Sequence, residues 1–399
     1  LAADLAAEPA EAGRPTWCEV DLGVLARNFA RIRDHVGDAE VVPVVKADAY
    51  GHGIGPCGRT LEAAGARSLG VAYVEEGIAL RDAGVTVPVH VLGGAVLRQI
   101  PLFLRHDLTF TAPSVDKLRQ IDAAARAAGT TARVHLKIDT GMERIGIHHE
   151  NAHRLFEASP SCAGVEVVGV FSHFADADED PAGAPAGAPA GAASGTAPRL
   201  ARTEEQLARF LAALEFYPDR GLPTPTRHIA ASAAAARAPQ THLDMVRTGI
   251  ALYGVGPWSA TIGTEPVLSW YSEVVYFKVV PAGAPVSYGG TWSPPAPTRV
   301  VTLPVGYADG YRRALSNCAE VVVDGRRCPV VGRVCMDQTM VDIGPDGTAY
   351  NGDRVVLVGS AAGGRVTVDD LARWAGAHSY EVLTSISRRV PRRYIDAQT

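Results

Sequence analysis

Strand-like apolar runs recur through the first 250 residues, and stretches of helical character separate most of them. The runs cover residues 41–47, 68–74, 87–93, 108–113, 133–139, 164–174, 226–231 and 245–250. Ala-rich segments such as 57–66 and 115–128 have the composition of the intervening helices. About eight such units in roughly 230 residues predict an α/β fold with an N-terminal (β/α)8 TIM-like barrel. An open doubly wound sheet is the main rival, but no G-x-G-x-x-G follows the first strand.

The pattern changes after Tyr253, and we expect a second domain there. A chain of 399 residues exceeds what one compact core usually holds. Proline and glycine punctuate short alternating runs at Val274–Val280, Val300–Val305, Glu320–Val323, Val330–Val334 and Val355–Val358. These runs are typical of a mostly β domain. The predicted boundaries are 15–254 for the barrel and 255–399 for the β-rich domain, with which the strand at 17–21 is a candidate to pair.

Two segments are not expected to join either core. Residues 1–14 are rich in Ala, Glu and Pro, lack the features of a secretory signal, and are predicted to form a disordered tail. Residues 181–198 repeat Pro, Ala and Gly, a composition that cannot bury apolar surface. We interpret them as a flexible insertion, for which an inert role is favoured over that of a functional lid because no residue in it can coordinate or titrate.

Charge and cysteine usage limit the classes of partner. A formal charge of −5 and a pI near 6.2 provide no basic surface for nucleic acid. The chain lacks an apolar run long enough to span a bilayer, so no membrane association is expected. The six cysteines are scattered without a C-x-x-C pair, which favours reduced thiols and a cytoplasmic location. Small molecules or a second copy of the chain are the expected partners.

One lysine ends the first predicted barrel strand. The β-branched run 41–45 is apolar enough to be buried on both faces, and it stops at Lys46. A lysine at the mouth of a buried strand loses hydration, which favours its neutral amine and suits it to hold an aldehyde as a Schiff base. The simpler interpretation is a lysine that extends into solvent. The residues that follow decide between the two.

The segment Val45-Lys46-Ala47-Asp48-Ala49-Tyr50-Gly51-His52-Gly53 resembles the pyridoxal-phosphate lysine segment of the alanine racemases. Further segments resemble the same family, and the resemblance extends from Trp17 to Arg392 except for the insertion. They are residues 140–146, 228–232, 245–254, 286–292, 304–311 and 332–338.

This resemblance implies a pyridoxal 5′-phosphate site at the carboxyl end of the barrel. The residues that would hold the cofactor phosphate are Tyr50, Ser232, Gly249, Ile250 and Tyr380. Arg247 would face the pyridine nitrogen. Because the pKa of an arginine lies above about 12, it does not readily pass a proton to the ring, which then remains a weak electron sink.

The resemblance also implies two catalytic bases. Lys46 would act on the D-enantiomer and Tyr288 on the L-enantiomer, with Tyr288 contributed by the partner in a homodimer with shared active sites. A racemase needs two bases because one base would return the proton to the face from which it came. The residues that would support catalysis are Arg144, His173, Arg247, His228 and Lys137, and the matching lysine is carbamylated in some relatives. The small amino-acid substrate would contact Arg144, Tyr307, Met336 and Asp337.

Several alternatives stay open at this stage. The chain has Ala231 where the family commonly has Asn before the phosphate-binding serine, so a racemase of another small amino acid such as serine competes with one that supplies D-alanine for peptidoglycan. A barrel-type pyridoxal-phosphate decarboxylase and a non-catalytic carrier are the further candidates. His149 and His153 have helical i, i+4 spacing but no H-E-x-x-H pattern, so no metal is expected.

Overall fold

The computed structural model describes residues 13–178 and 199–396, which form two compact units. The barrel unit comprises 22–178 and 199–265, and the β unit comprises 13–21 and 266–396. Residues 1–12 of the predicted tail and the whole predicted insertion at 181–198 lie outside the described residues. Arg14, which the prediction placed in the tail, is instead held by an ion pair with Asp309 at 2.6 Å.

The strands of the N-terminal region are short and mostly buried. In chain order they are β1 Thr16–Asp21, β2 Glu40–Pro43, β3 Leu69–Val71, β4 Val89–Val91, β5 Leu108–Ala112, β6 Ala132–Asp139, β7 Ile147–His148, β8 Val165–Phe171, β9 Thr226–Ala231 and β10 Met245–Thr248. Strand β1 belongs to the β unit, and the others belong to the barrel unit.

Eight parallel strands of the described barrel unit form one nearly closed sheet. Their order is β2-β10-β9-β8-β6-β5-β4-β3, and β7 pairs with β6 outside this sequence. A parallel bridge between Val44 and Gly70 joins the two ends of the sheet. The predicted α/β barrel is therefore confirmed.

Helices connect these strands and cover the sheet with an apolar face. They span Leu22–Val36, Ile54–Ala63, Val74–Asp82, Ile100–Arg105, Val115–Ala127, Ala152–Ala158, Arg199–Leu214, Ser232–Arg237 and Trp258–Ile262. In the helix Val115–Ala127, the Ser114 hydroxyl caps the first turn by accepting the Lys117 N–H at 3.2 Å. Leu118, Ile121 and Ala125 of that helix are buried at helical spacing, which fixes the face that packs. None of the described helices is both long and apolar enough to cross a membrane.

Residues 255–265 pack with the barrel, although the predicted barrel ended at 254. Asn28 on the first helix explains this because its buried amide holds the far end of the segment. Its Nδ2 donates to the carbonyl oxygens of Leu252 at 3.0 Å and Glu265 at 2.7 Å, and its Oδ1 accepts the Glu265 N–H at 2.8 Å. One side chain thus satisfies three backbone groups.

The β unit contains two sheets. Its strands are β1 with β11 Leu268–Glu273, β12 Tyr276–Val280, β13 Thr298–Leu303, β14 Glu320–Val323, β15 Arg326–Pro329, β16 Thr339–Gly344, β17 Arg354–Ala361, β18 Gly364–Val366 and β19 Arg392–Ile395. The larger sheet has the order β15-β14-β17-β11-β1-β19 with β18 on β17, and the smaller one is β12-β13-β16. Strand β1 pairs antiparallel with β11 and parallel with β19. The helices Val368–Ala375 and Ser379–Ser385 complete this unit.

The predicted strand at Val330–Val334 is wrong, because the chain reverses earlier than expected. Asp324 and Gly325 both have positive φ, at 48° and 69°, as a two-residue hairpin turn requires. The returning strand is therefore β15, whose arginines concealed it from a search for apolar runs.

We predict that Asn28→Ala lowers the free energy of unfolding by about 2–4 kcal/mol, because it leaves three backbone groups without their partner. Urea unfolding of the full chain measures this loss. Asn151→Ala is the matched control, since Asn151 is exposed and does not cap its helix. Equal losses in the two variants would contradict the role of Asn28.

Candidate functional site

Lys46 follows β2, where the two ends of the barrel sheet meet, and it begins a left-handed turn. The next four residues, Ala47 to Tyr50, have φ values of 54°, 56°, 54° and 53°. For residues other than glycine this conformation costs about 1–2 kcal/mol each, so the surrounding structure must stabilise it. The Asp48 carboxylate accepts the Ile54 N–H at 2.8 Å, and the Glu76 carboxylate accepts the Ala47 N–H at 2.6 Å. Both ends of the turn are thus anchored by acidic side chains.

The Lys46 amine lies in a cationic environment. Its side chain is accessible to solvent at the barrel mouth, yet desolvation by the surrounding protein is the largest cause that lowers its pKa. Arg144 and Arg247 lower this pKa further, while Glu76 opposes them. These groups favour the neutral, nucleophilic form of the amine.

Ser232 and Gly249 form a cradle suited to an oxyanion. The Ser232 hydroxyl accepts the N–H groups of Gly249 at 3.0 Å and Ala251 at 3.3 Å, which leaves its own proton to donate. A Cβ atom at 249 would lie 2.2 Å from the Tyr50 hydroxyl, so any residue larger than glycine would displace the Tyr50 ring. Ile250 begins a 3₁₀ turn beside it. The predicted phosphate-binding residues of the barrel, Tyr50, Ser232, Gly249 and Ile250, are therefore adjacent.

Arg247 is buried and fixed by several acceptors. One terminal nitrogen donates to His228 Nδ1 at 2.7 Å, and the other contacts the carbonyl oxygens of Ser172 and Ile229 and His173 Nδ1, at 2.9, 3.0 and 3.2 Å. Burial lowers the pKa of Arg247 to about 9, so the guanidinium remains charged at neutral pH. Among the residues that the structure describes, none accepts a hydrogen bond from the Arg247 Nε–H. That N–H is therefore available to a ligand such as a ring nitrogen.

Three buried histidines extend this network into the barrel. Because Arg247 can only donate, His228 must accept at Nδ1 and carry its proton on Nε2, which lies 2.8 Å from His135 Nδ1. The ring of His90 stacks on His135 at 4.1 Å and contacts the Thr111 hydroxyl at 2.9 Å. Burial lowers the pKa of all three, that of His135 to about 3. They therefore act as neutral hydrogen-bonding groups behind Arg247.

The same histidines have ring nitrogens within 4.8 Å of one another, a spacing that a metal could use. The environment disfavours a cation, however, because Arg247 already occupies one His228 nitrogen and Lys137 lies nearby. His90 and His135 were not among the residues predicted from the sequence. The available signal was a histidine inside each of the buried strands β4, β6 and β9.

Lys137 and Arg144 flank a loop that Asp139 organises. Asp139 accepts the N–H groups of four consecutive residues, 141–144, at 2.8 to 3.3 Å. Burial alone would raise the pKa of Asp139, but these donors together hold it below its ordinary value. The Lys137 amine lies 4.5 Å above the Phe171 ring, and burial followed by the charge of Arg247 holds its pKa well below the ordinary value. Burial and the charge of Arg247 thus favour the neutral form of the Lys137 amine.

The β unit carries the remaining predicted residues. Tyr288 lies on a 3₁₀ turn that follows Ser287, whose φ is 65°, and its side chain is 72% exposed. Backbone hydrogen bonds of 3.0 Å from Tyr307 to Cys335 and from Ala308 to Met336 bring Tyr307 and Met336 together. Asp337 forms an ion pair with Arg389 at 2.6 Å. Tyr380 lies on the helix Ser379–Ser385, beside His378.

An exposed apolar patch surrounds Tyr288. Val279 is 62% exposed and Tyr276 is 57% exposed, and both line a cavity of about 500 Å³ together with Tyr288, Val286 and Met340. Large exposed apolar surfaces of this kind are typical of sites of protein association.

The chain is similar to proteins of known activity over nearly its whole length. Family models described as "Alanine racemase, N-terminal domain" and "Alanine racemase, C-terminal domain" match residues 20–257 and 267–394. An alanine racemase of Symbiobacterium thermophilum is 41% identical over 96% of this chain and 97% of its own length. The crystal structure of alanine racemase from Streptomyces lavendulae superposes with a TM-score of 0.86 at 35% identity, covering 97% of this chain and 98% of that one. The alanine racemase of Bartonella henselae, with covalently bound pyridoxal phosphate, has a TM-score of 0.82 at 26% identity, covering 96% and 99%.

We predict that His135→Asn flattens the dependence of the free energy of unfolding on pH. The unfolded histidine binds a proton below about pH 6.5, whereas the folded one, with its pKa near 3, does not. The unfolded state therefore binds more protons between these values, and stability falls as pH decreases, by up to about 1.4 kcal/mol per pH unit for this residue. Removing the imidazole removes that contribution.

Urea unfolding at several pH values from 4 to 6.5 (roughly the window set by the two pKa values) measures this slope. His153→Asn is the control, because His153 is exposed on its helix. The same slope in His135→Asn and in the parent chain would show that His135 titrates normally when folded.

Proposed function

The chain belongs to the alanine racemase family and is an alanine racemase, and we propose that Lys46 and Tyr288 are the two bases with which it interconverts L- and D-alanine. The observation that carries the proposal is the placement of Lys46 at the barrel mouth, on the same turn as Tyr50 and next to the Ser232–Gly249 cradle. A reactive amine beside an oxyanion cradle is the arrangement that an aldehyde cofactor with a phosphate group requires.

Pyridoxal 5′-phosphate is the cofactor of this family, and the residues present fit it. Lys46 would bind the aldehyde carbon, the cradle of Tyr50, Ser232, Gly249 and Ile250 would hold the phosphate, and the Arg247 Nε would face the ring nitrogen. Tyr380 of the β unit is proposed as a further phosphate ligand. When bound, the cofactor withdraws electrons from the substrate and makes its α-hydrogen acidic.

Each base is proposed to act on one enantiomer of alanine. The lowered pKa of Lys46 favours a neutral amine that accepts the α-proton of D-alanine and, once protonated, returns one to the same face. Tyr288 would exchange the proton on the opposite face, where L-alanine carries it. Arg247 keeps its proton at neutral pH, so it supplies a positive charge without acting as an acid.

Arg144 is proposed to bind the substrate carboxylate. Its loop is held by Asp139, so the guanidinium is presented by a fixed backbone. The lowered pKa of Lys137 favours the neutral amine, which is the form that attacks CO₂, forming an N–C bond and releasing a proton. The resulting carbamate would place a negative charge among Arg144 and Arg247, and we include it in the proposal. His173 and His228 would support the site through Arg247.

A homodimer with shared sites is also part of the proposal. The exposed Tyr288 and the apolar patch around it support a partner copy, whose barrel would receive Tyr288. Tyr307, Met336 and Asp337 would line the substrate pocket from the same side. We further propose a cytoplasmic location and supply of D-alanine for peptidoglycan. The six free cysteines support the location.

The comparisons do not favour the other reactions. Relatives that are 36–41% identical over 96% of this chain are named alanine racemases. The buried Arg247 agrees with them, because decarboxylation needs a stronger electron sink at the ring nitrogen. Activity on another small amino acid such as serine would be attributed to Ala231, which stands where the family commonly has Asn.

We predict that the protein absorbs near 420 nm (roughly, as imines of pyridoxal do) and that it exchanges the α-hydrogen of L-alanine in heavy water while forming both enantiomers and no CO₂. Lys46→Ala should lose the absorption band and the exchange, because it removes the amine. Chiral chromatography and mass spectrometry of the products measure both outcomes. Release of CO₂ without racemisation would identify a decarboxylase.

We predict that mixing Lys46→Ala with Tyr288→Phe chains restores part of the activity. If the two chains exchange, each mixed dimer contains one site with an intact Lys46 from one chain and an intact Tyr288 from the other. A dimer of either variant alone contains no such site. Racemisation by the mixture, compared with each variant alone, measures the recovery, and tagged subunits verify the exchange. Absence of recovery despite verified exchange would argue that each site is built from one chain.

A further inference from the structure

The strained turn that carries Lys46 is tied to the neighbouring barrel strand by one side chain. Glu76 lies in the first turn of the helix Val74–Asp82, which follows β3. Its Oε1 accepts the N–H of Ala47, the residue after Lys46, at 2.6 Å. Its Oε2 accepts the N–H groups of Ala72 at 2.7 Å and Tyr73 at 3.2 Å. A single carboxylate therefore bridges the segments that follow β2 and β3.

An ordinary helix cap accounts for two of these three hydrogen bonds. The bonds to Ala72 and Tyr73 satisfy donors at the start of the helix, as acidic residues in a first helical turn commonly do. The bond to Ala47 spans 29 positions of sequence and contributes nothing to that helix. It fixes instead the first of four consecutive residues with positive φ. The orientation of the Lys46 side chain depends on this backbone.

Glu76 also adds a negative charge to an otherwise cationic neighbourhood. Arg144 and Arg247 both act on the Lys46 amine, and the Glu76 carboxylate opposes them. The same group therefore contributes both to the geometry of the lysine segment and to the charge around the amine.

We propose that Glu76 is a positioning residue for Lys46, holding the left-handed turn so that the amine meets the cofactor and the substrate Cα in a fixed orientation. This inference rests on the proposed role of Lys46 as cofactor attachment point and base. Glutamine cannot supply the same chemistry. The amide of the Glu76→Gln variant would keep one acceptor oxygen but would turn an NH₂ group toward the N–H of either Ala47 or Ala72, which are donors.

The first test measures the cofactor bond rather than turnover. The holoenzyme is treated with hydroxylamine, and loss of the absorption band near 420 nm is followed (roughly, for this chromophore). Glu76→Gln should lose the band about tenfold faster, because Lys46 is no longer held by its turn, while Glu75→Gln should stay within about twofold of the parent chain. Glu75 is a matched control on the same helical turn, with an exposed carboxylate 3.5 Å from Gln99 and no bond to the Lys46 segment.

The second test separates the two faces of the substrate. Primary isotope effects on kcat/KM are measured with α-deuterated D-alanine and α-deuterated L-alanine. If Glu76→Gln slows the step at Lys46, the isotope effect on D-alanine should rise and that on L-alanine should fall. A merely less stable enzyme would lose activity with both isotope effects unchanged.

Glu76→Asp keeps the charge and provides a second variant if Glu76→Gln does not fold. Its shorter side chain cannot reach both the N–H of Ala47 and that of Ala72, so an intermediate rate of band loss is expected. Equal rates of band loss in the Glu76 variants, Glu75→Gln and the parent would overturn the proposal. Faster band loss with unchanged isotope effects would support the positioning by Glu76 and place the failure in the two-base assignment of the proposed function.

Discussion

Pairing of residues 44 and 45 with both neighbouring strands fixes the backbone that leads to Lys46, the residue at the centre of the proposed site. The Val44 N–H donates to Thr248 and the Val45 N–H donates to Gly70, each at 2.8 Å. The backbone is therefore fixed on both sides up to the residue before Lys46. Parallel strands of a barrel end at one face, so Arg144, His173, Ser232 and Arg247 come to the same face as Lys46. The hydrogen bonds that close the barrel therefore also bring the residues of the proposed site together.

The face so formed is strongly cationic, and this charge explains much of its chemistry. Arg144 and Arg247 both act on Lys46 and on Lys137, and desolvation together with these two arginines lowers the pKa of each lysine. The nearby histidines are neutral because burial and Arg247 disfavour their protonation. Such a face is suited to the anionic groups of the cofactor and the amino acid, and its arginines favour the nucleophilic form of both lysines. Asp139 and Glu76 add negative charge beside this face. Their carboxylates accept backbone N–H groups and do not pair directly with the lysines.

Much of this arrangement could be predicted from sequence, and the exceptions have physical causes. The repeated strand–helix pattern was sufficient for the barrel, and the family resemblance located Lys46 and the cradle residues. His90 and His135 were missed because a histidine within an apolar strand looks like any buried polar residue. Glu76 was missed because a glutamate at a helix start already has a local role, and its bond to Ala47 exists only once two strands are adjacent. The strand β15 was missed because its arginines interrupt the apolar pattern.

Lys46 and Tyr288 are proposed to act on opposite faces of one carbon atom, and the rest of the mechanism depends on this placement. A crystal structure of the pyridoxal-phosphate enzyme with an unreactive alanine analogue tests it most directly, through the distances from Lys46 Nζ and Tyr288 Oη to the analogue Cα. We expect both atoms within reach of that carbon, at about 3–3.5 Å and on opposite sides of it. A Tyr288 hydroxyl on the same side as Lys46, or beyond the reach of every bound analogue in the assembly, would contradict the two-base assignment.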